Sequence, residues 1–248
     1  MVDAVKECRE IRNSKFPQSV GNTSYESDDQ LLTDKSTGIV GAQTNVCKVD
    51  EVNNFINLSV NSFGGIDILL LCAGIGAHNI FNETKNLDVF HRCMNVNFFG
   101  YLNCTHAALP HLLKSRGVLT AITSFSGEVG LPYRTAYCAS KFAVTGFLEA
   151  LRAELKDLGE ENIDIVLICP PTTNTNLRAN SLTDEKLKKA SSDDGPGISV
   201  EDCAACVLDA TDRRIRKAFF PWSSTIASYM RPLVPDYIDG KIWAKSRL

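Results

Sequence analysis

One stretch, residues 118–146, constrains the fold of this chain more than any other. It reads VLTAITSFSGEVGLPYRTAYCASKFAVTG, an apolar run followed by a turn rich in serine and glycine and then a helical pattern. The helical part carries Tyr137 and Lys141, which are four residues apart and therefore lie on one face of the helix. A nearby ammonium group can lower the pKa of a phenol from about 10 towards neutrality. A tyrosine tuned in this way can exchange a proton with a carbonyl or an alcohol.

A serine at the end of the apolar run completes this unit. Ser124 stands where the predicted strand ends, and its hydroxyl could hydrogen-bond the same substrate oxygen as Tyr137. Ser126 is the competing candidate, but it is closer to Gly127 and we interpret it as part of the turn. The alternative for an isolated Tyr-x-x-x-Lys is a half-buried ring beside a solvated charge, so the pair needs support from the rest of the chain.

Apolar runs alternate with helical patterns along most of the sequence. Strands are predicted at 39–46, 66–74, 117–124, 162–170 and 216–221. Helices are predicted at 1–14, 50–65, 87–114 with a break near Pro110, 136–155 and 200–210, and residues 15–38 are predicted to form a loop. The run at 66–74 is nearly all apolar, as expected for a strand buried on both faces of a parallel sheet. This alternation predicts an α/β fold with a doubly wound parallel sheet of the Rossmann type.

Composition narrows the class of protein further. The chain has 248 residues, of which 44% are hydrophobic, and this suits one globular domain with a sizeable core. The net charge of −3 without a basic stripe makes nucleic acid an unexpected partner. The nine cysteines are scattered and odd in number, which is typical of reduced intracellular thiols, in the cytoplasm or on the cytoplasmic face of a membrane. Cys203 and Cys206 lie in an apolar helical run and are predicted to face the core, with redox or zinc chemistry as the alternative.

Four motifs in order resemble those of the short-chain dehydrogenase/reductase family. LLLCAG at 69–74 is similar to the family's strand ending in Asn-Ala-Gly, and MNVNFFG at 94–100 is similar to its Asn-x-x-Gly helix motif. The serine with Tyr-x-x-x-Lys follows, and CPPTTNT at 169–175 is similar to the family's Pro-Gly-x-x-x-Thr turn. The resemblance implies an NAD- or NADP-dependent reduction of a carbonyl, or oxidation of the matching alcohol.

The resemblance also implies roles for four catalytic residues. Tyr137 would be the acid/base, and Lys141 would tune it and hold the nicotinamide ribose. Ser124 would orient the substrate carbonyl, and Asn97 would complete a proton relay. The alternative for Asn97 is a buried amide that bonds to the helix backbone.

Further residues would bind the cofactor by the same resemblance. The small residues after the strand would pass under it, and a second loop would flank the nicotinamide carboxamide; these residues are Cys72, Ala73, Gly74, Pro170, Thr173 and Thr175. The sequence departs from the family pattern at three positions. Cys72 replaces an asparagine, Pro171 replaces a glycine, and Asn45 stands where an aspartate commonly touches the adenine.

The start of the family pattern is missing. The resemblance covers about residues 40–220, which predicts an incomplete domain over 1–220 without the first strand and its glycine-rich, diphosphate-binding turn. The nearest match, at 37–41, lacks the further glycine. Weak cofactor binding follows as an expectation. The alternative to an active enzyme is therefore a truncated paralogue or gene-model fragment that acts as a binding or structural subunit.

The last segment, 221–248, holds both tryptophans, Trp222 and Trp243, among other aromatic, apolar and basic residues. It loosely resembles the ends of membrane-associated, hydroxysteroid-dehydrogenase-like members of the family, which implies an apolar, lipid- or steroid-like substrate. Such a segment can lie on a membrane surface. The alternatives are that it covers the substrate pocket or forms the interface of a homo-oligomer.

Overall fold

The computed structural model describes residues 31–34, 38–160, 162–184, 187, 197–221 and 223–246. Its strands are β1 Leu31–Asp34, β2 Ile39–Ala42, β3 Ile68–Leu71, β4 Ala77–His78, β5 Val118–Ile122, β6 Asp164–Cys169, β7 Leu182–Thr183 and β8 Lys217–Phe219. Its α-helices are α1 Val49–Phe63, α2 Asp88–Cys93, α3 Gly100–Ser115, α4 Thr135–Asp157, α5 Asn176–Ala179, α6 Val200–Asp212, α7 Ser223–Met230 and α8 Pro235–Ser246. The helix predicted at 1–14 and the side chain of Trp222 lie outside the described residues.

The central sheet contains four strands in the order β3-β5-β6-β8, and every neighbouring pair is parallel. Successive side chains of a strand point to opposite faces of a sheet. Leu119 and Leu167 accordingly pack in a core with residues of α1, α3 and α4. Val118 and Val166 pack on the other face, in a core that includes Val207 and Ala210 of α6. Helices therefore cover both faces, and the predicted doubly wound parallel sheet is confirmed.

The outer strand β3 differs from the prediction of burial on both faces. Ile68 is 56% exposed and Leu70 is 42% exposed, whereas Leu71 is buried. Within the described part of the chain β3 pairs only with β5. Helices α1 and α3 pack against the face of this strand that carries Leu69 and Leu71, and no other described strand pairs with its outer edge.

The predicted loop at 15–38 is wrong in its described part. Leu31–Asp34 forms a strand that pairs antiparallel with Ile39–Ala42. The predicted strand at 39–46 is present over 39–42, but it belongs to this two-stranded sheet and not to the central one. The sequence pattern did not predict these two paired strands, because each strand is short and the pair is apolar only in part.

The break predicted near Pro110 is also wrong. Helix α3 continues through Pro110, and the irregular turn lies earlier, where Met94–Phe99 forms a π-helix. Single π-turns within helices frequently mark functional sites. This one contains Asn97, whose side chain bonds to a neighbouring loop as described below. The irregular part of the helix therefore lies at Asn97 and not at Pro110.

Two features lie over the carboxyl ends of the central strands. The strand β4, which follows β3, pairs in parallel with β7, which follows α5. The last segment forms α7 and α8, and Trp243 Nε1 donates to the carbonyl of Gly130 at 3.3 Å. None of the helices within the described ranges has the length and apolar character needed to cross a bilayer.

Candidate active site

A cavity of about 780 Å³ lies beyond the carboxyl ends of β3, β5 and β6. Ligands of open α/β sheets bind at this edge. The cavity is lined by predicted site residues from separate parts of the sequence, namely Cys72, Gly74, Ser124, Tyr137, Lys141, Pro170, Thr173 and Thr175. Of the predicted set, Asn97 and Ala73 are the two that do not line it. The fold thus assembles most of the predicted site in one place.

Helix α4 and the turn after β5 hold the central residues of this cavity. Gly127 lets the two elements approach closely, since a Cβ at this position would lie 3.0 Å from the Lys141 carbonyl oxygen. Tyr137 and Lys141 occupy one face of α4, and Lys141 Nζ is 5.9 Å from the centroid of the Tyr137 ring. The i, i+4 spacing therefore places both side chains in the cavity, as the sequence predicts.

The two candidate serines have different partners. The Ser124 hydroxyl lines the cavity with the Tyr137 phenol and acts to lower the pKa of that phenol. It also accepts the backbone N–H of Ser126 at 3.1 Å. Ser126 also lines the cavity but is only 2% exposed, and its hydroxyl acts to lower the pKa of the neighbouring Cys138 thiol. Ser124 is thus the serine that faces the phenol, and Ser126 supports the turn.

The pKa of Tyr137 differs from the expectation that Lys141 lowers it. Burial raises the pKa of Tyr137 above its usual value, and the hydrogen bond from Ser124 and the charge of Arg134 oppose this effect without outweighing it. Lys141 is not among the groups that lower the pKa of Tyr137, because its ammonium group donates to the Ile122 carbonyl oxygen. The phenol therefore stays protonated at neutral pH and is ready to donate a proton.

Lys141 is 4% exposed, and Nζ donates to the Ile122 carbonyl oxygen at 2.9 Å. Tyr101 donates its hydroxyl to the same oxygen at 3.1 Å, and Lys141 Nζ lies 5.3 Å from the Tyr101 ring centroid. Burial lowers the pKa of Lys141 to about 8. A buried ammonium group lowers the stability of the folded protein. Residues that lower stability in this way are typically retained for function.

We expect Lys141→Met to stabilise the fold at neutral pH by roughly 1–3 kcal/mol. The pKa of Lys141 is lowered in the folded protein from 10.5 to about 8, so between these values the unfolded chain binds more protons. Stability therefore rises with pH through this window, and the penalty of the buried ammonium is complete below pH 8. Urea denaturation of parent and variant at pH 7 and at pH 10 measures the difference, and other titrating groups cancel in the comparison.

Lys156→Met is the matched control, because Lys156 lies on the same helix with an exposed side chain. Its substitution should change the free energy of unfolding by less than about 0.5 kcal/mol. A Lys141→Met variant less stable than the parent at pH 7 would show that the ammonium contributes to the fold.

Asn97 lies beside the cavity, fully buried in the π-helix. Its Oδ1 accepts the N–H of Ile75 at 2.8 Å, and its Nδ2 donates to the Ile75 carbonyl at 3.0 Å and to Ser140 Oγ at 2.9 Å. All of its amide hydrogens are thus engaged with the loop after β3 and with α4. These contacts favour the alternative of a buried structural amide over the proton relay.

The loop after β3 forms the floor of the cavity. Gly74 lines it, and a Cβ at this position would lie 3.3 Å from Asn97 Oδ1 and 3.9 Å from Lys141 Nζ. Cys72 lines it with an exposed side chain, while Ala73 is exposed outside it. A side chain at position 74 would crowd Asn97, so the glycine permits the close approach.

The second wall is the loop after β6. Pro170, Pro171, Thr173 and Thr175 all line the cavity. Thr173 is held by a parallel bridge to Ile198, and its hydroxyl donates to the Pro171 carbonyl at 3.2 Å. Asn45, by contrast, lies outside the cavity lining, where its Oδ1 accepts the N–H of Cys47 at 3.0 Å just before α1.

Several lining residues were not predicted from the sequence. They are His78, Arg134, Asn176, Asn180, Ser181, Cys203 and Ser224, among others. Arg134 precedes Tyr137 by one helical turn, so spacing alone could have identified it. The others reach the cavity through the pairing of β4 with β7 and through helices α6 and α7. No local sequence pattern predicts these long-range contacts.

Known proteins resemble this chain over most of its length. Residues 22–186 match the family model for short chain dehydrogenases, a range that begins and ends earlier than the predicted 40–220. The chain is 34% identical over 177 residues to dehydrogenase/reductase SDR family member 7B of Rattus norvegicus, covering 70% of this chain and 53% of that protein. It is 32% identical over 168 residues to 11-beta-hydroxysteroid dehydrogenase-like 3 of Arabidopsis thaliana, covering 68% and 52%. The chain thus spans about half the length of these curated relatives.

Solved structures share the fold at low identity. A short-chain dehydrogenase/reductase from Burkholderia phymatum in complex with NAD superposes with a TM-score of 0.71 at 19% identity, covering 79% of this chain and 76% of that chain. A short-chain dehydrogenase from Burkholderia cenocepacia in complex with NADP gives 0.65 at 20% identity, covering 80% and 76%. The family-model match, the curated relatives and the cavity built on Ser124, Tyr137 and Lys141 agree, and this chain belongs to the short-chain dehydrogenase family.

Proposed function

We propose that this chain binds NAD or NADP and catalyses carbonyl reduction, or oxidation of the matching alcohol. The observation that carries the proposal is the presence of the Ser124 hydroxyl and the Tyr137 phenol in one cavity that also contains Lys141. Two hydroxyl groups that converge beside a buried cation can bind a carbonyl oxygen and give it a proton.

The cavity fits the nicotinamide end of such a cofactor. Its floor is open at Gly74, and Lys141 Nζ lies within reach of a ribose placed there. The described lining carries the cations Lys141 and Arg134 and no carboxylate, which suits an anionic dinucleotide. Pro170, Thr173 and Thr175 would flank the carboxamide.

Each residue of the site has a separate role in the proposed reduction. When bound, the reduced nicotinamide supplies the hydride. Tyr137 donates its phenolic proton to the carbonyl oxygen, and its raised pKa keeps this proton available at neutral pH. Ser124 hydrogen-bonds the same oxygen and orients it. Lys141, whose ammonium group is bonded to the Ile122 carbonyl and is not directed at the phenol, would hold the nicotinamide ribose.

The substrate is proposed to be apolar, of a lipid- or steroid-like class. The cavity is lined in part by Ile75, Ala77, Phe125, Leu131 and Leu177. Apolar walls with a few convergent hydroxyl groups are typical of sites for such ligands.

The test is the consumption of NADPH or NADH, followed by absorbance, with a panel of aliphatic, aromatic and steroid ketones. We expect ketone-dependent oxidation of one cofactor, and titration of cofactor fluorescence should give its affinity. Saturable ketone or cofactor binding without turnover would instead support the rival, a binding subunit. Cys72 in place of asparagine is the observation that favours this rival.

The turn between α7 and α8 is proposed to dock on a lipid surface. The exposed side chains of this turn and of the two helices that flank it are mainly apolar or aromatic, namely Ile226, Tyr229, Met230, Leu233, Val234 and Tyr237. Arg231 forms an ion pair with Asp239 at 2.7 Å, so apolar contact contributes more here than the basic charge that the sequence indicates. Ser224 of α7 lines the cavity, so docking would bring lipid close to the site.

We expect Leu233→Asp to weaken binding to phosphatidylcholine vesicles about tenfold or more, because burying a leucine contributes roughly 1.5–3 kcal/mol. Co-sedimentation with vesicles measures the effect. Leu158→Asp is the matched control, since Leu158 is 68% exposed and Leu233 is 73% exposed. Equal effects of the two substitutions would contradict lipid docking, and so would a change of sedimentation on dilution alone, which would indicate a subunit interface.

A further inference from the structure

Lys141 is a buried cation whose neighbours in the fold carry no negative charge at neutral pH. Its Nζ donates to the Ile122 carbonyl oxygen at 2.9 Å. The titratable groups of the described residues that act on it are the thiols of Cys72, Cys93 and Cys169, and no carboxylate is among them. Burial raises the pKa of each thiol, so all three are neutral at pH 7. Uncharged groups must therefore stabilise the ammonium group.

Two aromatic rings lie close enough to do so. Lys141 Nζ is 5.3 Å from the centroid of the Tyr101 ring and 5.9 Å from that of the Tyr137 ring. A cation within about 6 Å of a ring centroid is attracted to the ring face, and the attraction is stronger where water is excluded. Tyr101 is 1% exposed, whereas Tyr137 lines the open cavity. The Tyr101 ring is thus the nearer of the two and the better shielded from water.

The Tyr101 side chain is held in place at both ends. Its hydroxyl donates at 3.1 Å to the Ile122 carbonyl oxygen, the atom that also accepts from Lys141. Burial raises the pKa of Tyr101 well above its usual value, so the hydroxyl remains a neutral donor. Tyr101 follows Asn97 by one helical turn, and the Asn97 amide is anchored to Ile75. The shared carbonyl and the anchored helix fix the ring beside the ammonium group.

We propose that Tyr101 is a positioning residue for Lys141, which it holds and keeps charged through the face of its ring and the carbonyl that both side chains share. The inference rests on the proposed function only for the use of this charge, which would hold the nicotinamide ribose. The contacts themselves, and the measurement that tests them, involve neither cofactor nor substrate.

Tyr101→Leu is expected to lower the pKa of Lys141 from its value of about 8 in the parent. The ring favours the charged form of the amine, so without the ring the proton is lost at a lower pH. The fall should be about half a pH unit to one pH unit, the order expected for a buried cation–π interaction. Tyr101→Phe keeps the ring and should leave the pKa of Lys141 within about 0.3 pH units of that of the parent.

The measurement is an NMR titration of the full chain labelled with carbon-13 at lysine. The Cε signal of Lys141 is assigned by its absence from the spectrum of Lys141→Met. Phe147→Leu is the matched control, because Phe147 belongs to the same core as Tyr101 and stacks on Phe98 with ring centroids 6.1 Å apart. This variant also loses a core ring, and its Lys141 should titrate as in the parent.

A second signature is present in the parent protein without any titration. An aromatic ring shifts the proton signals of groups above its face upfield, so the Cε protons of Lys141 should resonate upfield of those of the exposed Lys156. Tyr137→Leu removes the other nearby ring and should retain most of this displacement. The comparison decides the matter if Tyr101→Leu does not fold.

An unchanged pKa of Lys141 in Tyr101→Leu would overturn the inference, as would an equal fall in Phe147→Leu or in Tyr101→Phe. Loss of the upfield displacement in Tyr137→Leu would also overturn it. The proposed function is judged separately by turnover of ketones with NADPH or NADH. Turnover with an unchanged Lys141 pKa would retain the enzyme and remove the role of Tyr101. The expected fall without turnover would keep that role and remove the enzymatic proposal.

Discussion

Tyr137→Phe is expected to lower kcat/KM for carbonyl reduction by about 100- to 10,000-fold, the usual contribution of a positioned general acid. The substitution removes the phenolic proton donor, and it keeps the ring that α4 holds in the cavity. Because the loss concerns proton transfer, kcat should fall more than KM rises. Steady-state kinetics with the best ketone of the panel measures both constants.

Tyr133→Phe is the matched control for this experiment. Tyr133 lies four residues earlier, its side chain is exposed, and the described contact of this residue is its backbone carbonyl, which accepts the N–H of Asn79 at 2.8 Å. The kcat/KM of the Tyr133→Phe variant should stay within about twofold of that of the parent, as is usual for surface substitutions away from an active site. If Tyr137→Phe retained the parent activity, the acid would be another group and the proposed mechanism would be wrong.

Asn97→Ala is expected to lower the free energy of unfolding by about 3 kcal/mol. The variant leaves the N–H and carbonyl of Ile75 without their buried partner, and it removes the donor to Ser140 Oγ. Each unsatisfied buried polar group costs about 1–3 kcal/mol, and relaxation of the loop recovers part of this cost. The loop after β3 forms the floor of the cavity, so cofactor binding should weaken as well.

Asn103→Ala is the control for this loss of stability. Asn103 lies on α3 and makes one hydrogen bond, from Nδ2 to the Val46 carbonyl at 3.0 Å, in a partly buried position. Its substitution should cost about 1 kcal/mol. Urea denaturation of both variants separates the two roles considered for Asn97. A variant as stable as the parent but inactive would restore the proton relay and contradict the structural role.

The local units of the fold were predictable because their signals are short-range. The strand–turn–helix unit of 118–146 follows from an apolar run, a glycine-containing turn and a helical period, and the structure contains β5, a 3-10 turn and α4 there. Helix α1 spans Val49–Phe63 where the sequence predicts 50–65, and Gly64 follows it with a φ of +83°, the left-handed conformation that glycine adopts readily. The placement of Tyr137 and Lys141 on one helical face follows from spacing alone.

The sequence by itself determined the family and the set of residues that meet in the cavity, since order and spacing of motifs are properties of the chain. Tertiary structure decided the burial, the contacts and the pKa shifts of those residues. Burial and not Lys141 sets the direction of the Tyr137 pKa, and the tertiary contacts show that Ser124, the serine that the sequence favours, acts on the phenol whereas Ser126 acts on Cys138. Asn97 proved to be engaged with Ile75, which is distant in sequence, and Cys203 of a predicted core helix proved to line the cavity. Desolvation and hydrogen bonding depend on neighbours brought together by folding, and no local pattern in the chain encodes their distances.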